Sequence, residues 1–533
     1  MGRHAFFRSL FMLQMFQQSG YKINEFRKWL LKNWSAHGVT VAHAAFNLLL
    51  LILLLYLDPV LTSTTTVIIL TVFAVFWFGS IKPYVQNEVK KPLVFTPRMK
   101  RLAILLAAVS LPLPLYGMFW AFTAGIRFPD IYILGFTWII ADLLIPLFLM
   151  ISATLITPLE KYFQIGFIKQ ARAKLDSMPG LKVIAITGSY GKTSTKFILK
   201  TILQERFNVC ATPGSYNTPM GICKVINNDL EASHQILILE MGARYEGNID
   251  ELCEIAPPDI AVITNIGVAH LETFGSVEAI ARTKGSLLQH LRKNGWAVLN
   301  AEDEQVMKLK PPPGIRTITA GLQYGEVRAE NIQYDSNGGS FQVKDHQAGE
   351  EETVKTRLLG AHNVQNIVLG IAVGKVLGLR MKTMAMALAK MEPVEHRMEL
   401  KSQNGMVVID DAFNSNPVGA RNAIDTLSRF EGGRKFLITP GMIELGDRED
   451  SENRELGRFI GQKQIDKVFL VGENQTKSLR EGLVDSGYDQ QNIEVVSSLY
   501  EANRRLESIY QSGDIVLYEN DLPDAYNEPQ VSP

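Results

Sequence analysis

The pattern of apolar and polar positions changes about a third of the way along the chain. Before that point, four apolar segments are each near or above the length that crosses a bilayer as a helix. They are Val41–Leu57, Thr65–Ile81, Leu102–Phe122 and Ile131–Ile156. This pattern predicts a transmembrane region of four helices over residues 39–157.

Basic residues flank these segments unevenly. They cluster before the first segment, between the second and the third, and after the fourth, whereas the other two short loops carry only Arg127. Because positive charge favours the inner side of a membrane, this predicts a multi-pass protein of the cell membrane, with both termini and the domains after residue 157 in the cytoplasm. Asp142 lies inside the fourth segment, where we expect a hydrogen bond to a neighbouring helix, with His43 or Asn47 as the partner.

The segments on either side of this region have other patterns. Residues 1–38 predict amphipathic helices that either lie on the inner membrane surface or pack on the soluble part of the protein. Residues 158–180 are predicted to form a juxtamembrane linker.

From residue 181 onward, short apolar runs alternate with amphipathic helices. The runs are KVIAIT, QILILE, IAVIT, AVLN, MVVID, KFLIT, KVFLV and DIVLY. Strands that are apolar throughout and separated by helices are typical of parallel sheets covered on both faces, which predicts the α/β fold class. We place a P-loop ATPase domain at residues 181–392, with a hairpin that turns at Asn-Gly-Gly, and a C-terminal Rossmann-like, doubly wound domain at residues 393–533.

Charge and cysteine content narrow the choice of partners. The 533 residues include 54 basic and 54 acidic side chains, and this zero net charge indicates no nucleic-acid partner. Cys210, Cys223 and Cys253 lack the spacing of metal ligands and are predicted to be reduced thiols.

The stretch VIAITGSYGKTSTKFIL, from Val183 to Leu199, predicts a phosphate-binding loop between a buried strand and a helix. Backbone N–H groups of such a loop converge on an anion at the helix N-terminus. Its lysine pairs with the terminal phosphates and its threonine hydroxyl binds Mg²⁺, so ATP and Mg²⁺ are the predicted cofactors. A close-packed turn without a ligand is the alternative. The predicted nucleotide-binding residues of the loop are Gly188, Ser189, Gly191, Lys192, Thr193 and Ser194.

Further motifs follow the loop in a fixed order. They are ILEMGA, TNIGVAHLETFGSVEAIARTKG, LLGAHNVQN, EHRME and IDDAFNSNP. Together with the loop they resemble the Mur ligase family, and within it the subfamily that adds D-alanyl-D-alanine. The resemblance covers about Leu181 to Leu517 and implies an ADP-forming ligase that activates a carboxylate as an acyl phosphate for attack by an amine.

The resemblance also implies catalytic and metal-binding roles. The predicted catalytic residues are Lys192, Glu240, His270 and Lys284. Glu240 would bind magnesium beside Thr193, and His270 would bind a second magnesium ion. Lys284 resembles the family's carbamylated lysine, which binds metal after it captures CO₂. A strand-end charge, a structural histidine and a surface lysine are the respective alternatives.

Four more residues match the family's nucleotide contacts. Asn217 would border the transferred phosphate or the carboxylate, and Asn363 would contact adenine. Arg397 would reach the phosphates and Asp411 the ribose, which suits a guanidinium fork and a carboxylate. A turn residue, a helix cap and a strand-end charge are the alternatives for Asn217, Asn363 and Asp411.

The substrates are less clearly indicated than the reaction. Nothing in residues 1–179 resembles the domain that binds a uridine-diphosphate sugar, and the C-terminal segment YENDLPDAYNE replaces a Gly-Ser-Arg type of sequence. The predicted partners are therefore ATP, a carboxylate donor and an amine acceptor of the cell envelope, soluble or lipid-linked, and membrane lipids. A poly-γ-glutamate synthase-like ligase and a non-catalytic membrane ATPase switch remain as alternative functions.

Overall fold

The computed structural model of the chain divides into two units, Met1–Gly166 and Phe167–Pro533. The residues that the structure describes are 2–33, 45, 49, 52, 56, 92–123, 128–214, 216–267, 271–392, 398–411, 417–443, 445 and 448–520.

The N-terminal unit is helical over its described residues. The helices are α1 (Gly2–Gln18), α2 (Ile23–Lys32), α3 (Pro97–Ser110), α4 (Pro112–Thr123), α5 (Phe128–Leu143) and α6 (Ile145–Asp176), which continues past the unit. Met12, Phe16, Leu102 and Leu149 belong to one buried cluster, so the apolar faces of α1, α3 and α6 meet in a common core.

Asp142, in α5, is buried and hydrogen-bonded to α1, as expected for a polar group inside an apolar segment. Nδ1 of His4 lies 3.1 Å from Oδ1 of Asp142, and the Arg8 guanidinium donates to Oδ2 at 3.1 Å. The predicted hydrogen bond to a neighbouring helix is therefore present, with α1 as the partner; His43 and Asn47 lie outside the described residues.

The prediction of a multi-pass membrane protein needs correction. Among the described residues, one helical segment, Pro97–Thr123, which contains α3 and α4, is long and apolar enough to cross a membrane. There are two candidate spans if the bent pair Gly135–Leu143 and Ile145–Asp176 counts as one span. That pair bends by 60°, so an apolar run that is continuous in sequence is interrupted as a helix. The first two predicted segments lie almost entirely outside the described residues, and a four-helix transmembrane region is not supported.

The second unit begins with a nine-stranded sheet in the order β2-β3-β1-β4-β5-β6-β7-β8-β9. Its strands are β1 (Lys182–Thr187), β2 (Val209–Ala211), β3 (Ile236–Glu240), β4 (Ile260–Ile263), β5 (Trp296–Asn300), β6 (Arg316–Gly321), β7 (Val327–Asp335), β8 (Gly338–Asp345) and β9 (Glu350–Thr356). Pairing is parallel from β2 to β7, and β7, β8 and β9 are antiparallel. The turn between β7 and β8 contains the predicted Asn-Gly-Gly hairpin.

Helices cover both faces of the parallel part of this sheet. They are α7 (Lys192–Leu203), α8 (Pro219–Lys224) followed by a π-helical turn (Val225–Asp229), α9 (Asn248–Ile255), α10 (Leu271–Phe274), α11 (Val277–Gln289), α12 (Glu304–Met307), α13 (Ala361–Val376) and α14 (Met381–Ala389). Alternate residues of β1 enter different buried clusters. Ile184 packs with the cluster of α7 and α13, whereas Val183 packs with that of α8, α9 and α11, as period-two strand geometry requires.

A six-stranded sheet follows, in the order β10-β11-β15-β12-β13-β14. The strands are β10 (Glu399–Gln403), β11 (Met406–Asp411), β12 (Lys435–Thr439), β13 (Lys467–Val471), β14 (Ile493–Val496) and β15 (Ile515–Glu519). The helices are α15 (Pro417–Ser428), α16 (Glu449–Gly461), α17 (Lys477–Asp485) and α18 (Leu499–Glu507), with a 3₁₀ turn at Gln490–Asn492. Only β10 is antiparallel to its neighbour, so the predicted doubly wound character is confirmed.

Candidate active site

The predicted phosphate loop lies between the carboxyl end of β1 and the first turn of α7. Gly191 caps α7 with a φ of 77°, a left-handed conformation that glycine adopts without strain. The α7 helix begins at Lys192, so its free backbone N–H groups face the loop. Loop and helix therefore have the geometry of an anion site.

Two glycines keep the loop free of side-chain bulk. A Cβ atom on Gly188 would lie 1.9 Å from Oγ1 of Thr264, and one on Gly191 would lie 2.7 Å from Oδ1 of Asn366. The loop is further tied to β4, because Asn265 accepts from the Tyr190 N–H at 2.8 Å. Such contacts preorganise the backbone before any ligand binds.

Two lysines converge on the carbonyl of Gly188. Nζ of Lys192 donates to it at 2.8 Å, and Nζ of Lys284, from α11, donates to it at 3.0 Å. Burial lowers the pKa of Lys192, and the charge of Glu240 partly opposes that effect. Burial and then repulsion from Lys192 lower the pKa of Lys284 to about 7. A substantial fraction of Lys284 is therefore a neutral amine near pH 7.

Glu240, the last residue of β3, contacts three polar side chains near the phosphate loop. Its Oε2 atom accepts from the Thr193 hydroxyl at 2.9 Å and lies 3.1 Å from Nζ of Lys196. Its Oε1 atom accepts from Nδ2 of Asn217 at 3.2 Å. The carboxylate is almost fully buried. It brings Thr193 and Asn217, which the sequence assigned to the site separately, together with Lys196.

A cavity of 510 Å³ opens beside the loop, within the size range of ligand pockets. Lys192, Thr193, Asn363 and Asp411 all line it, so residues from both sheets contribute. Asn363 donates to the Leu359 carbonyl at 2.8 Å and faces the cavity. The N-cap of α13 is Gly360, so the helix-cap alternative for Asn363 is wrong.

Three further residues of α13, His362, Gln365 and Asn366, line the cavity, and the sequence did not single them out. Among the residues that the structure describes, Nδ1 of His362 and Nδ2 of Asn366 are buried without a hydrogen-bond partner. Burial lowers the pKa of His362 to about 4, so its ring is neutral at physiological pH. Buried polar atoms are nearly always paired in folded proteins, and these two therefore fit a polar ligand. The sequence motif HNVQN contains these residues, and a polar site could have been predicted from it.

His270 and Arg397, two of the predicted site residues, lie outside the described residues.

Besides the residues of α13, the sequence reasoning also missed Lys196. Lys196 is fully buried on α7 and pairs with Glu240; its position four residues after Lys192, on the same helix face, was the signal. Within the described residues, no group of three or more His, Cys, Asp or Glu side chains could hold a metal ion.

The fold and the site define a P-loop α/β protein with a middle domain and a second, doubly wound C-terminal domain. Residues 186–374 match the Mur ligase middle domain, and residues 396–518 match the Mur ligase glutamate ligase domain. The chain belongs to the Mur ligase family.

Individual relatives show the same relationship. The chain is 33% identical over 305 residues to the UDP-N-acetylmuramoyl-tripeptide–D-alanyl-D-alanine ligase of Bacillus subtilis, covering 57% of this chain and 65% of the relative. The ligase of the same name from Mycobacterium leprae is 32% identical, over 63% of this chain and 70% of the relative. A solved MurF ligase from Thermotoga maritima in complex with ADP superposes with a TM-score of 0.58 at 30% identity, over 67% of this chain and 80% of that one.

These matches cover only part of the chain, and they bear on the predicted membrane location. The chain spans just under two thirds of the Bacillus relative, and residues 1–185 lie outside both matched domains. The relatives are ligases named for a uridine-nucleotide precursor. Together with the finding of one or at most two candidate spans among the described residues, this similarity contradicts the predicted multi-pass location in the cell membrane.

Proposed function

We propose that the chain is an ATP-dependent, ADP-forming amide ligase that acts on a peptidoglycan-type precursor. The observation that carries this proposal is the convergence of two lysines and a strand-end carboxylate on one phosphate loop. Lys192 and Lys284 share the Gly188 carbonyl, and Glu240 accepts from the loop's Thr193. A nucleotide switch needs the loop but not the second lysine, so the arrangement favours catalysis.

In the proposed reaction, an oxygen of the donor carboxylate attacks the γ-phosphorus of ATP and ADP leaves. The amine nitrogen of the acceptor then attacks the acyl carbon, the amide bond forms, and phosphate leaves with the proton released to solvent. The loop N–H groups and Lys192 bind the phosphates, and the charge they neutralise increases during transfer.

The residues at the edge of β3 fit magnesium. Mg²⁺ prefers hard oxygen ligands and commonly uses one or two carboxylates besides substrate phosphates. The Glu240 carboxylate and the Thr193 hydroxyl, in contact at 2.9 Å, supply two such oxygens. When bound there, Mg²⁺ would neutralise phosphate charge. A second magnesium at His270 is retained from the family resemblance alone.

The carbamate at Lys284 is supported by the state of its amine. CO₂ reacts with neutral amines, and burial together with Lys192 lowers the pKa of Lys284 to about 7. Because this side chain already lies against the loop at 3.0 Å from the Gly188 carbonyl, a carbamate there would carry its negative charge beside the phosphate site.

The remainder of the cavity suits the nucleoside. We assign adenine contacts to Asn363, with His362 and Asn366 as additional polar partners, because two of these three residues have unsatisfied buried atoms. Asp411, at the end of β11, lines the same cavity, which supports the proposal that it binds the ribose hydroxyls. Arg397 is retained as a phosphate contact from the resemblance.

The donor and the acceptor follow from the relatives. The natural starting hypothesis is a muramoyl peptide as donor and D-alanyl-D-alanine as acceptor, because the relatives are named for these substrates. Since residues 1–185 match neither domain, donor recognition is the part most open to difference, and a lipid-linked precursor should be compared with the soluble one.

The test compares wild type with Lys192→Met and with the control Lys200→Met, which removes a lysine from the same helix two turns further on. Binding of a fluorescent ADP analogue is measured with and without Mg²⁺, followed by ADP and amide formation from ATP, D-alanyl-D-alanine and either precursor. We expect Lys192→Met to weaken nucleotide binding at least about tenfold, or about 1.4 kcal/mol, and the control to leave it unchanged.

Each outcome separates the alternatives. Wild type that fails to bind the nucleotide refutes the proposal. Wild type that binds it but forms no amide with either muramoyl precursor, while extending poly-γ-glutamate, indicates the glutamate-polymer ligase. Binding without any ligation or ATP consumption indicates the nucleotide switch.

A further inference from the structure

Lys196 is a charged residue in the interior of the phosphate-loop domain. It lies one turn after Lys192 on α7, and its side chain is fully buried. Burial of an ammonium group is strongly unfavourable unless charge and hydrogen bonds compensate it. The structure supplies both, because Nζ lies 3.1 Å from Oε2 of Glu240 and also donates to the carbonyl of Gly214.

The contact with Glu240 places Nζ of Lys196 beside the Oε2 atom, which is shared with the phosphate loop. The same Oε2 atom of Glu240 accepts from the Thr193 hydroxyl at 2.9 Å. Two donors from one helix face therefore hold one carboxylate oxygen, which limits rotation of the Glu240 side chain. A carboxylate held only by the hydroxyl would have more orientations available to it.

The second contact connects Lys196 to the opposite oxygen. Gly214 lies in the loop after β2, and that loop also carries Asn217, whose amide donates to Oε1 of Glu240 at 3.2 Å. The backbone N–H of Glu240 in turn donates to Oγ1 of Thr212 at 3.3 Å, at the start of the same loop. The loop that Lys196 contacts at Gly214 is therefore the loop from which Asn217 contacts Glu240.

We propose that Lys196 is a positioning residue that presets Glu240, and with it Thr193, for the magnesium form of the nucleotide. This inference rests on the proposed function, since it concerns the same site. Lys196 does not face the cavity, so it acts through Glu240 rather than on the nucleotide directly.

The role predicts a specific effect on magnesium dependence. The quantity to measure is the ratio between the Kd of a fluorescent ADP analogue without Mg²⁺ and its Kd with Mg²⁺. Because Lys196→Met frees the carboxylate and the Gly214 loop, we expect this ratio to fall about tenfold. The Kd without Mg²⁺ should change much less, since the loop and Lys192 remain. The control Lys200→Met should leave both values unchanged.

A double-mutant cycle with Glu240→Gln tests the route of the effect. If Lys196 acts through Glu240, Lys196→Met should add no further loss of the magnesium ratio in the Glu240→Gln background. Thermal unfolding of every variant is measured in parallel. If Lys196→Met does not fold, Lys196→Gln takes its place, because it removes the charge while retaining a donor.

The outcomes distinguish this role from the function on which it rests. A wild-type protein whose nucleotide affinity does not depend on Mg²⁺ overturns the proposed magnesium site and this role together. If wild type shows the dependence, an unchanged ratio in Lys196→Met overturns the role of Lys196 alone. Equal losses from Lys196→Met in both Glu240 backgrounds also overturn it, because the lysine would then act independently of the carboxylate.

Discussion

Glu519 provides the sharpest test of the electrostatics at the carboxyl ends of the strands of the six-stranded sheet. It is the last residue of β15 and is completely buried. The Thr439 hydroxyl donates to its Oε2 atom at 2.5 Å, whereas its Oε1 atom has no hydrogen-bond partner among the described residues. Burial raises the pKa of Glu519 to about 8; the Thr439 hydrogen bond opposes this, and the charge of Asp411 adds to it.

The sign of the resulting pH dependence follows from the raised pKa. Folded protein holds a proton on Glu519 that unfolded protein loses above its ordinary pKa of 4.5. The contribution of Glu519 to stability is therefore fully present below pH 4.5 and is lost as the pH rises to about 8. At about 1.4 kcal/mol per pH unit, the loss is about 3 kcal/mol by pH 7 and about 5 kcal/mol above pH 8.

Glu519→Gln removes this dependence, because the amide has nearly the same shape and cannot ionise. The thermal midpoint of the variant should rise relative to wild type as the pH increases from 5 to 9, by on the order of 5–10 °C. Fluorescence-monitored unfolding at matched ionic strength measures the difference. Glu473→Gln, an exposed glutamate of the same sheet domain, is the control and should show a constant difference. A Glu519→Gln difference that does not vary with pH would refute the inference that the buried carboxyl is neutral.

Three further predictions concern the phosphate loop and the cavity. Gly188→Ala should abolish nucleotide binding and lower the thermal midpoint, because its Cβ would lie 1.9 Å from Oγ1 of Thr264; binding at the wild-type Kd would contradict the loop geometry. Lys284→Ala should lose ligase activity that formate or acetate partly restores in a turnover assay, and ¹³CO₂ should label wild type but not the variant by NMR; full activity without rescue would remove the carbamate. Asn363→Ala should weaken ADP more than inorganic pyrophosphate in competition binding, by roughly tenfold, whereas an equal effect on both would place Asn363 away from the base.

Local patterns in the chain predicted much of the fold. The apolar runs from Lys182 onward form parallel strands, and the Asn-Gly-Gly turn joins β7 to β8. Such elements follow from periodicity and turn chemistry within a few residues. Strands β2, β6, β9, β10 and β14 were not among the predicted apolar runs. Whether such a segment joins a sheet depends on neighbours far away in sequence.

Hydropathy was a poorer guide to the first part of the chain. An apolar run measures composition along the sequence, but it does not show where a helix bends or what its residues contact. Composition does not show the 60° bend between α5 and α6. The burial of Asp142 against His4 and Arg8 depends on the packing of segments more than 130 residues apart. The predicted multi-pass location was wrong, and the predicted four-helix transmembrane region is not supported.

The sequence by itself determined the phosphate loop, the succession of strands and helices, and membership in a ligase family, because each depends on residue types at short, fixed spacings. Only the tertiary structure decided which charges meet. Lys196 and Glu240 are 44 residues apart in the chain, and Asp411 and Glu519 are paired in register on neighbouring strands. Whether a lysine is paired, or a carboxyl group neutral, depends on solvent exclusion and on the nearest opposite or like charge, and both exist only once the sheets have assembled.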